Sequence, residues 1–315
     1  MIEVAGLTKR YGDRTAVDGM TFTVRPGAVT GFLGPNGAGK STTMRMIVGL
    51  DRPTSGTVTV NGRPYARHPA PLGEVGALLD ARAVHTGRSA RDHLLAQAAT
   101  HGIGRRRVDE VMEATGLTSV ARTRAGTFSL GMGQRLGIAA ALLGDPRTLI
   151  LDEPVNGLDP EGVLWVRTLL RGLAAEGRTV FLSSHLMSEM ALTADHLVVV
   201  GRGRVIADAP VAEVVARAQS SAVHVRTPSA ARLAAVLVRD PGVEVTSLAH
   251  DTLEVTGSTP PAIAAVAAAA GLVLHGLAPV ETSLEDAYLQ LTAGAVEYRS
   301  ADATPSPRRT AGDHR

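Results

Sequence analysis

Residues 34–41 read Gly34-Pro-Asn-Gly-Ala-Gly-Lys-Ser41 and fit the phosphate-binding loop pattern G-x-x-x-x-G-K-[ST]. The apolar run at residues 29–33 predicts a buried strand before the loop, and residues 41–48 carry apolar side chains at helical spacing after it. A strand, a glycine loop and a helix start are the context that this motif requires, which favours a phosphate site over a purely structural glycine turn. The sequence therefore predicts a site for a nucleoside triphosphate.

Each residue type in this loop has a chemical reason. Glycines let the backbone turn tightly and bring its N–H groups against phosphate oxygens, and the helix N-terminus adds partial positive charge. Lys40 is expected to contact the β- and γ-phosphates, and the Ser41 hydroxyl is expected to ligate Mg²⁺. The predicted nucleotide-binding residues of this segment are Gly34, Pro35, Asn36, Gly37, Ala38, Gly39, Lys40, Ser41 and Thr42.

Length and composition restrict the class of protein. A chain of 315 residues is long enough for two domains, and 44% hydrophobic with 20% charged residues is typical of an ordinary globular protein. A net charge of +2 lacks the basic excess of a dedicated nucleic-acid binder, so we expect no nucleic-acid partner. With no cysteine, disulfides and thiol catalysis are excluded.

Neither a signal peptide nor a membrane span is expected. The first residues lack a charged segment followed by an apolar stretch. The longest apolar run, residues 262–274, is shorter than the roughly 20 residues that a membrane helix needs. We therefore expect any membrane role to depend on a partner.

The first 220 residues are predicted to form one α/β domain. Strand-like runs alternate with turn signals up to about residue 65, and residues 85–145 are predicted to be mostly helical. Strand signals return at residues 148–151, 179–182 and 196–200 with helical runs between them, and residues 198–206 predict a closing hairpin. Strands that alternate with helices indicate a parallel sheet.

Residues 221–295 are predicted to form a second, accessory domain. Strands are expected at residues 222–226, 243–247, 253–256 and 272–276, and helices at 230–238, 261–270 and 283–292. The order strand-helix-strand-strand-helix-strand is typical of a small α+β unit of the ferredoxin-like type. Residues 296–315, rich in proline, serine and arginine, are predicted to be a disordered tail.

A second chemical motif is Thr148-Leu-Ile-Leu-Asp-Glu-Pro154, an apolar strand that ends in two carboxylates. The carboxyl edge of a parallel sheet is where ligands bind. Asp152 is predicted to hold Mg²⁺, and Glu153 to act as the general base on the attacking water. A strand that merely ends in a charged turn is common, but this chain already has a phosphate loop that needs a metal ligand and a base.

Together these motifs resemble the nucleotide-binding subunit of an ATP-binding cassette (ABC) transporter, a P-loop NTPase. Its signature segment corresponds to Phe128-Ser-Leu-Gly-Met-Gly-Gln-Arg135. Subunits of this family dimerise head to tail, so the resemblance implies that Ser129 and Gly131 bind the γ-phosphate of ATP held by a second copy.

Three further residues follow from the resemblance. Gly157-Leu-Asp-Pro160 matches the dimer-contact loop and implicates Asp159. His185 matches the switch histidine that senses the γ-phosphate, and Tyr11 matches the aromatic residue that stacks on adenine. A structural histidine and a half-buried turn tyrosine are the alternatives for these two.

The sequence departs from the family pattern at two places. Where a glutamine commonly ends the strand before the helical region and contacts Mg²⁺, this chain has Asp80, which is retained as a candidate metal ligand. The signature has Leu130 in place of its first glycine and Met132 in place of its glutamine.

The resemblance covers residues 1–220 through six ordered motifs, and residues 282–292 resemble the end of the bacterial branch that exports antibiotics, typified by daunorubicin-resistance exporters. It implies a homodimeric ATPase, peripheral to the cytoplasmic face of the cell membrane, that drives a separate permease. The alternatives are a soluble ABC ATPase of DNA repair or translation, an importer, and a protein that binds nucleotide without hydrolysis. Glu153 argues against the last.

Overall fold

The computed structural model describes residues 1–81, 83–218, 222–280 and 283–292. The predicted tail at residues 296–315 lies outside this part of the chain.

A six-stranded sheet forms the centre of the first domain. Its strands are β3 (Val29–Leu33), β5 (Val75–Leu78), β6 (Thr148–Asp152), β7 (Thr179–Ser183), β8 (His196–Gly201) and β9 (Arg204–Pro210). Their order is β5-β6-β7-β3-β8-β9, with every pair parallel except β8–β9. The predicted parallel sheet and closing hairpin are confirmed.

This sheet is buried on both faces. Successive side chains of a strand point to opposite sides, and the side chains on each side pack into a separate core. Phe32 and Phe181 face one core, where they cluster with Phe22 at ring-centroid distances of 5.1–5.9 Å. Their sequence neighbours Leu33 and Leu182 face the other core. Continuous apolar runs, rather than alternating ones, are therefore what these strands need.

A smaller antiparallel sheet covers the first core. It contains β1 (Ile2–Tyr11), β2 (Arg14–Val24) and β4 (Ser55–Val60) in the order β2-β1-β4. Helix α1 (Lys40–Ile47) lies between the two sheets and buries Met44, Met46 and Ile47 in the same core.

Helices predominate between β5 and β6, as predicted. These helices are α3 (Ala90–Thr100), α4 (Arg105–Ala114) and α5 (Leu130–Leu142), while the short α2 (Pro71–Glu74) precedes β5. Helix α6 (Pro160–Ala175) connects β6 to β7, and its Trp165 ring packs under the Arg135 guanidinium of α5 at 4.4 Å. Helices α7 (Met187–Thr193) and α8 (Val211–Ala218) complete the domain.

The second unit has a core and a sheet of its own. Strands β10 (Val223–Arg226), β11 (Glu244–Ala249), β12 (Thr252–Thr256) and β13 (Gly276–Pro279) pair antiparallel in the order β11-β12-β10-β13. Helices α9 (Ala230–Leu237) and α10 (Pro260–Ala269) pack on one face through Leu233 and Ile263. The element order is the predicted strand-helix-strand-strand-helix-strand.

One predicted strand of this unit is wrong in position. Residues 272–276 were expected to form it, but the strand begins at Gly276. The Leu272 N–H instead donates to the Ala267 carbonyl at 2.9 Å, after Gly271 takes a φ of +64°. The apolar run therefore closes the end of α10, as hydrophobic residues after a C-terminal glycine often do.

Among the described residues the last helix is α11 (Leu284–Thr292), which returns to the first domain. It packs against α7, α8 and β9, and its Leu284, Ala287 and Tyr288 belong to the core of that domain. The predicted accessory domain grouped this helix with residues 221–280, whereas its buried side chains are shared with the first domain.

In the part of the chain that the structure describes, no helix combines the length and the apolar character needed to cross a bilayer.

Candidate nucleotide-binding site

The predicted phosphate loop connects β3 to α1 at the carboxyl edge of the central sheet. Gly37 and Gly39 have φ of +81° and +98°, a backbone region that glycine occupies readily. A Cβ at Gly39 would lie 2.5 Å from the Ala16 carbonyl oxygen. Because α1 begins at Lys40, its first N–H groups have no intrahelical acceptor and point into this loop. The predicted strand, loop and helix start are all present.

Lys40 closes the loop on itself. Its Nζ donates to the Gly34 carbonyl at 2.6 Å and to the Pro35 carbonyl at 3.3 Å. Burial lowers the pKa of Lys40, and the nearby carboxylates of Glu153 and Asp152 oppose that shift. Since an ammonium bonds an anionic oxygen more strongly than a neutral carbonyl, a phosphate is a better partner for Lys40 than these carbonyls.

A cavity of about 420 Å³ opens beside the loop. Its lining residues are Tyr11, Arg14, Ala16, Pro35, Asn36, Gly37, Gly39, Lys40, Ser41 and Thr42. The structure thus brings predicted Tyr11 to the loop. Its side chain is about half exposed, and its hydroxyl donates to Asp51 Oδ2 at 3.3 Å.

Two predicted loop residues do not line this cavity. Ala38 is buried, and a Cβ at Gly34 would lie 2.5 Å from the Val200 carbonyl oxygen. Gly34 is therefore required by its close approach to β8. Conversely, Arg14 and Ala16 of β2 line the cavity but were not predicted. The only indication of these two residues in the sequence was that just two residues separate Tyr11 from the start of β2.

Two of the three predicted Mg²⁺ ligands meet at the sheet edge. The Ser41 hydroxyl, at the start of α1, donates to Asp152 Oδ2 at 2.7 Å. Within the described ranges, no group of three or more His, Asp or Glu side chains has the arrangement of a metal site. A hydroxyl with one carboxylate nevertheless fits Mg²⁺, which prefers oxygen ligands, keeps several waters and takes the rest from substrate phosphates.

Glu153 and His185 are in direct contact, although they are 32 residues apart. His185 Nδ1 lies 2.8 Å from Glu153 Oε2, and the His185 backbone N–H donates to the same oxygen at 3.3 Å. Glu153 follows β6 and His185 follows β7, so the carboxyl ends of two adjacent parallel strands carry the pair. The imidazole is 58% exposed and therefore accessible to a ligand.

Two residues that were not predicted hold the side chain of Asp152 and the main chain of Glu153. Ser183, the last residue of β7, donates its hydroxyl to Asp152 Oδ1 and accepts from the Glu153 backbone N–H at 3.1 Å. Gln134 of α5 donates from Nε2 to the Glu153 carbonyl oxygen at 3.0 Å. The position of Ser183 at the carboxyl edge of a strand was the available signal, whereas Gln134 gave none beyond lying in the signature segment.

Asp80 follows β5 and lines a second cavity, of about 280 Å³, together with Asp152 and Glu153. Gln134, Leu130 and Asn156 line the same cavity. The aspartate is exposed. Because β5 pairs parallel with β6, this predicted metal ligand lies at the same edge of the sheet as the other two carboxylates. It is one strand further from the phosphate loop than Asp152.

Ser129, Gly131 and Asp159 do not line either cavity of their own chain. Ser129 caps α5 by accepting from the Met132 N–H at 3.3 Å, and Asp159 caps α6 by accepting from the Gly162 N–H at 2.9 Å. The two helix starts lie close together, since a Cβ at Gly131 would be 2.9 Å from the Gly157 carbonyl oxygen.

Comparison with known proteins gives matches to both parts of the chain. Residues 17–156 match the family model described as ABC transporter, and residues 221–285 match a domain of unknown function. The bacitracin transport ATP-binding protein BcrA of Bacillus licheniformis is 42% identical over 213 residues, which is 67% of this chain and 70% of that protein.

Two further matches extend this finding. The Nod factor export ATP-binding protein I of Burkholderia pseudomallei is 36% identical over 303 residues, 92% of this chain and 96% of that protein. A solved structure of an ATP-binding subunit of an ABC transporter superposes with a TM-score of 0.63 at 27% identity, over 69% of this chain and 92% of that chain.

Proposed function

The chain belongs to the family of ABC transporter ATP-binding proteins, and from this premise we propose that two copies hydrolyse ATP between them and drive a separate membrane permease. The observation that carries the proposal is the contact of 2.8 Å between Glu153 and His185, placed beside Ser41 and Asp152 at the sheet edge. A general base, a metal-binding pair and a phosphate loop are the parts that phosphoryl transfer to water requires.

The phosphate loop supplies binding. The N–H groups at the start of α1 and the Lys40 ammonium receive the phosphates, and the cavity bounded by Tyr11 receives the base. Ser41 and Asp152 would hold Mg²⁺, with Asp80 on the same cavity edge, and the ion would neutralise charge on the phosphate oxygens.

Glu153 accepts a proton from the attacking water as general base. Its Oε2 is held by His185, so the other carboxylate oxygen is directed by that contact toward the water. The exposed imidazole reaches the γ-phosphate from β7, and it thereby reports whether a triphosphate or a diphosphate is present.

Ser129, Gly131 and Asp159 are assigned to the dimer. They line neither of the two cavities at the sheet edge, and Ser129 and Asp159 are exposed. We therefore assign them to contacts with the ATP of a second copy in a head-to-tail arrangement. Each hydrolytic site then needs residues from both copies.

The transported compound is proposed from the relatives. One is a bacitracin transport protein and one a Nod factor export protein, which supports export of an antibiotic or another hydrophobic compound. We assign the subunit to the cytoplasmic face of the cell membrane, attached through its permease. We assign residues 1–220 together with α11 to the ATP-binding domain, and residues 222–280 to the accessory part.

Replacing Glu153 with Gln tests the hydrolytic assignment. The amide cannot accept the proton, and loss of a general base lowers the rate by about 10²–10⁴-fold. We expect the purified full-length variant to keep ATP affinity, measured with a fluorescent ATP analogue, and to lose phosphate release. Near-normal phosphate release would contradict the role of Glu153.

A further inference from the structure

The backbone of Glu153 is held in a conformation that a residue with a side chain seldom adopts. Its φ is +52°, in the left-handed region. Such a conformation is unfavourable for a residue with a side chain and persists only where the surroundings fix it. The direction of the Glu153 carboxylate therefore depends on the groups that hold its main chain.

Those groups come from two different elements. Ser183 holds the N–H of Glu153 from β7, in the same rigid sheet that carries Asp152. Gln134 holds the carbonyl from α5, in the helical region, and its side chain is only 3% exposed. One hold comes from the central sheet, and the other comes from helix α5.

Helix α5 also carries the residue proposed to touch the other ATP of the dimer. Ser129 caps its first turn, and Gln134 lies five residues further on. At 1.5 Å per residue this separation is about 7.5 Å along the axis, so both residues sit on one rigid segment of less than two turns. A rigid displacement of α5 would therefore move both residues together.

We propose that Gln134 is a positioning residue that couples the two ATP sites of the dimer. When the start of α5 closes on the ATP bound by the partner subunit, Gln134 sets the main chain of Glu153 in its own chain. Hydrolysis in one site then depends on ATP in the other, because only the closed form makes both contacts. This inference rests on the dimer of the proposed function.

The test compares Gln134→Leu with Ser183→Ala in the purified full-length chain. Leucine has similar length but cannot donate to the Glu153 carbonyl, whereas Ser183→Ala removes the hold of the sheet on the Glu153 N–H together with the hydrogen bond to Asp152. We expect both variants to keep ATP affinity and to lower kcat by about 10- to 100-fold, because small misplacements of a catalytic group have effects of this size. Only Gln134→Leu is expected to bring the Hill coefficient for ATP from well above 1 to about 1.

A purely structural role for Gln134 would lower kcat equally and leave the Hill coefficient of the wild type, and that result would overturn the inference. A Hill coefficient of 1 in a wild-type chain that hydrolyses ATP would overturn it as well, while the proposed function would stand. Absence of ATP hydrolysis in the wild type would instead contradict the proposed function. If Gln134→Leu does not fold, Gln134→Asn has an amide too short to reach the carbonyl and is expected to lose cooperativity in the same way.

Discussion

Lys40 is the residue on which nucleotide affinity depends most directly. Its ammonium lies among carbonyls of the loop, within reach of a phosphate that enters the cavity. A hydrogen bond to a charged group contributes about 1.5–3 kcal/mol, which corresponds to roughly 10- to 150-fold in affinity. We therefore expect Lys40→Ala to raise the Kd for ATP by that factor, measured by titration with a fluorescent ATP analogue.

Lys9, the other lysine of the chain, gives the matched control. Its Nζ donates to the Arg52 carbonyl at 2.7 Å and lies 4.9 Å from the centroid of the Tyr11 ring, outside the phosphate loop. Because an exposed cation–π contact contributes only about 0.5–1 kcal/mol, Lys9→Ala is expected to change the Kd by less than about 5-fold. Equal losses in the two variants would mean that overall charge, rather than the loop, determines affinity.

At the residue scale the sequence predicted side-chain chemistry better than backbone support. The contact between Glu153 and His185 follows from their places after adjacent strands, and the meeting of Ser41 with Asp152 follows from the shared sheet edge. The holds on the Glu153 main chain were missed, because a left-handed φ at a glutamate and the amide that stabilises it leave no pattern in the sequence.

Helix α3 contains a buried histidine whose charge is suppressed by the fold. His93 is 7% exposed, and within the described residues its Nδ1 has no hydrogen-bond partner. Burial lowers the pKa of His93, and the positive charges of Arg88 and His85 lower it further. Below the unfolded-state pKa of about 6.5 the unfolded chain binds a proton that the folded chain excludes, so stability falls as the pH falls.

We expect the free energy of unfolding to drop less between pH 7.5 and pH 5.5 in His93→Gln than in the wild type. Each unit by which the pKa is lowered is worth about 1.4 kcal/mol at pH values below the folded-state pKa. Chemical denaturation at the two pH values measures the difference. His101→Gln is the control, since His101 is exposed at the end of the same helix. Unchanged pH dependence in His93→Gln would show that this histidine is not a source of acid sensitivity.

For the helices and strands, the hydrophobic pattern was enough to predict the central strands. In the alanine-rich second unit it was not enough to predict where the last strand begins. The run at residues 272–274 has strand propensity. However, the Leu272 N–H forms a hydrogen bond with the Ala267 carbonyl, and this bond places the run at the C-terminal end of α10. Tertiary hydrogen bonding therefore decided where β13 begins.

In the molecule as a whole, α11 makes residues 284–292 part of the ATP-binding domain. Leu284 is 3% exposed in the core that also contains Met190 of α7, the helix that follows His185. We expect Leu284→Ala to lower the stability of this domain by about 2–5 kcal/mol, the usual effect of a cavity in a packed core. Trp165 of α6 is the chain's one tryptophan, so its fluorescence during denaturation reports this domain. Leu289→Ala on the same helix, where the side chain is 59% exposed, is expected to cost less than about 0.5 kcal/mol. If Leu284→Ala does not shift the unfolding transition reported by Trp165 fluorescence, α11 does not contribute to the stability of the domain on which it packs.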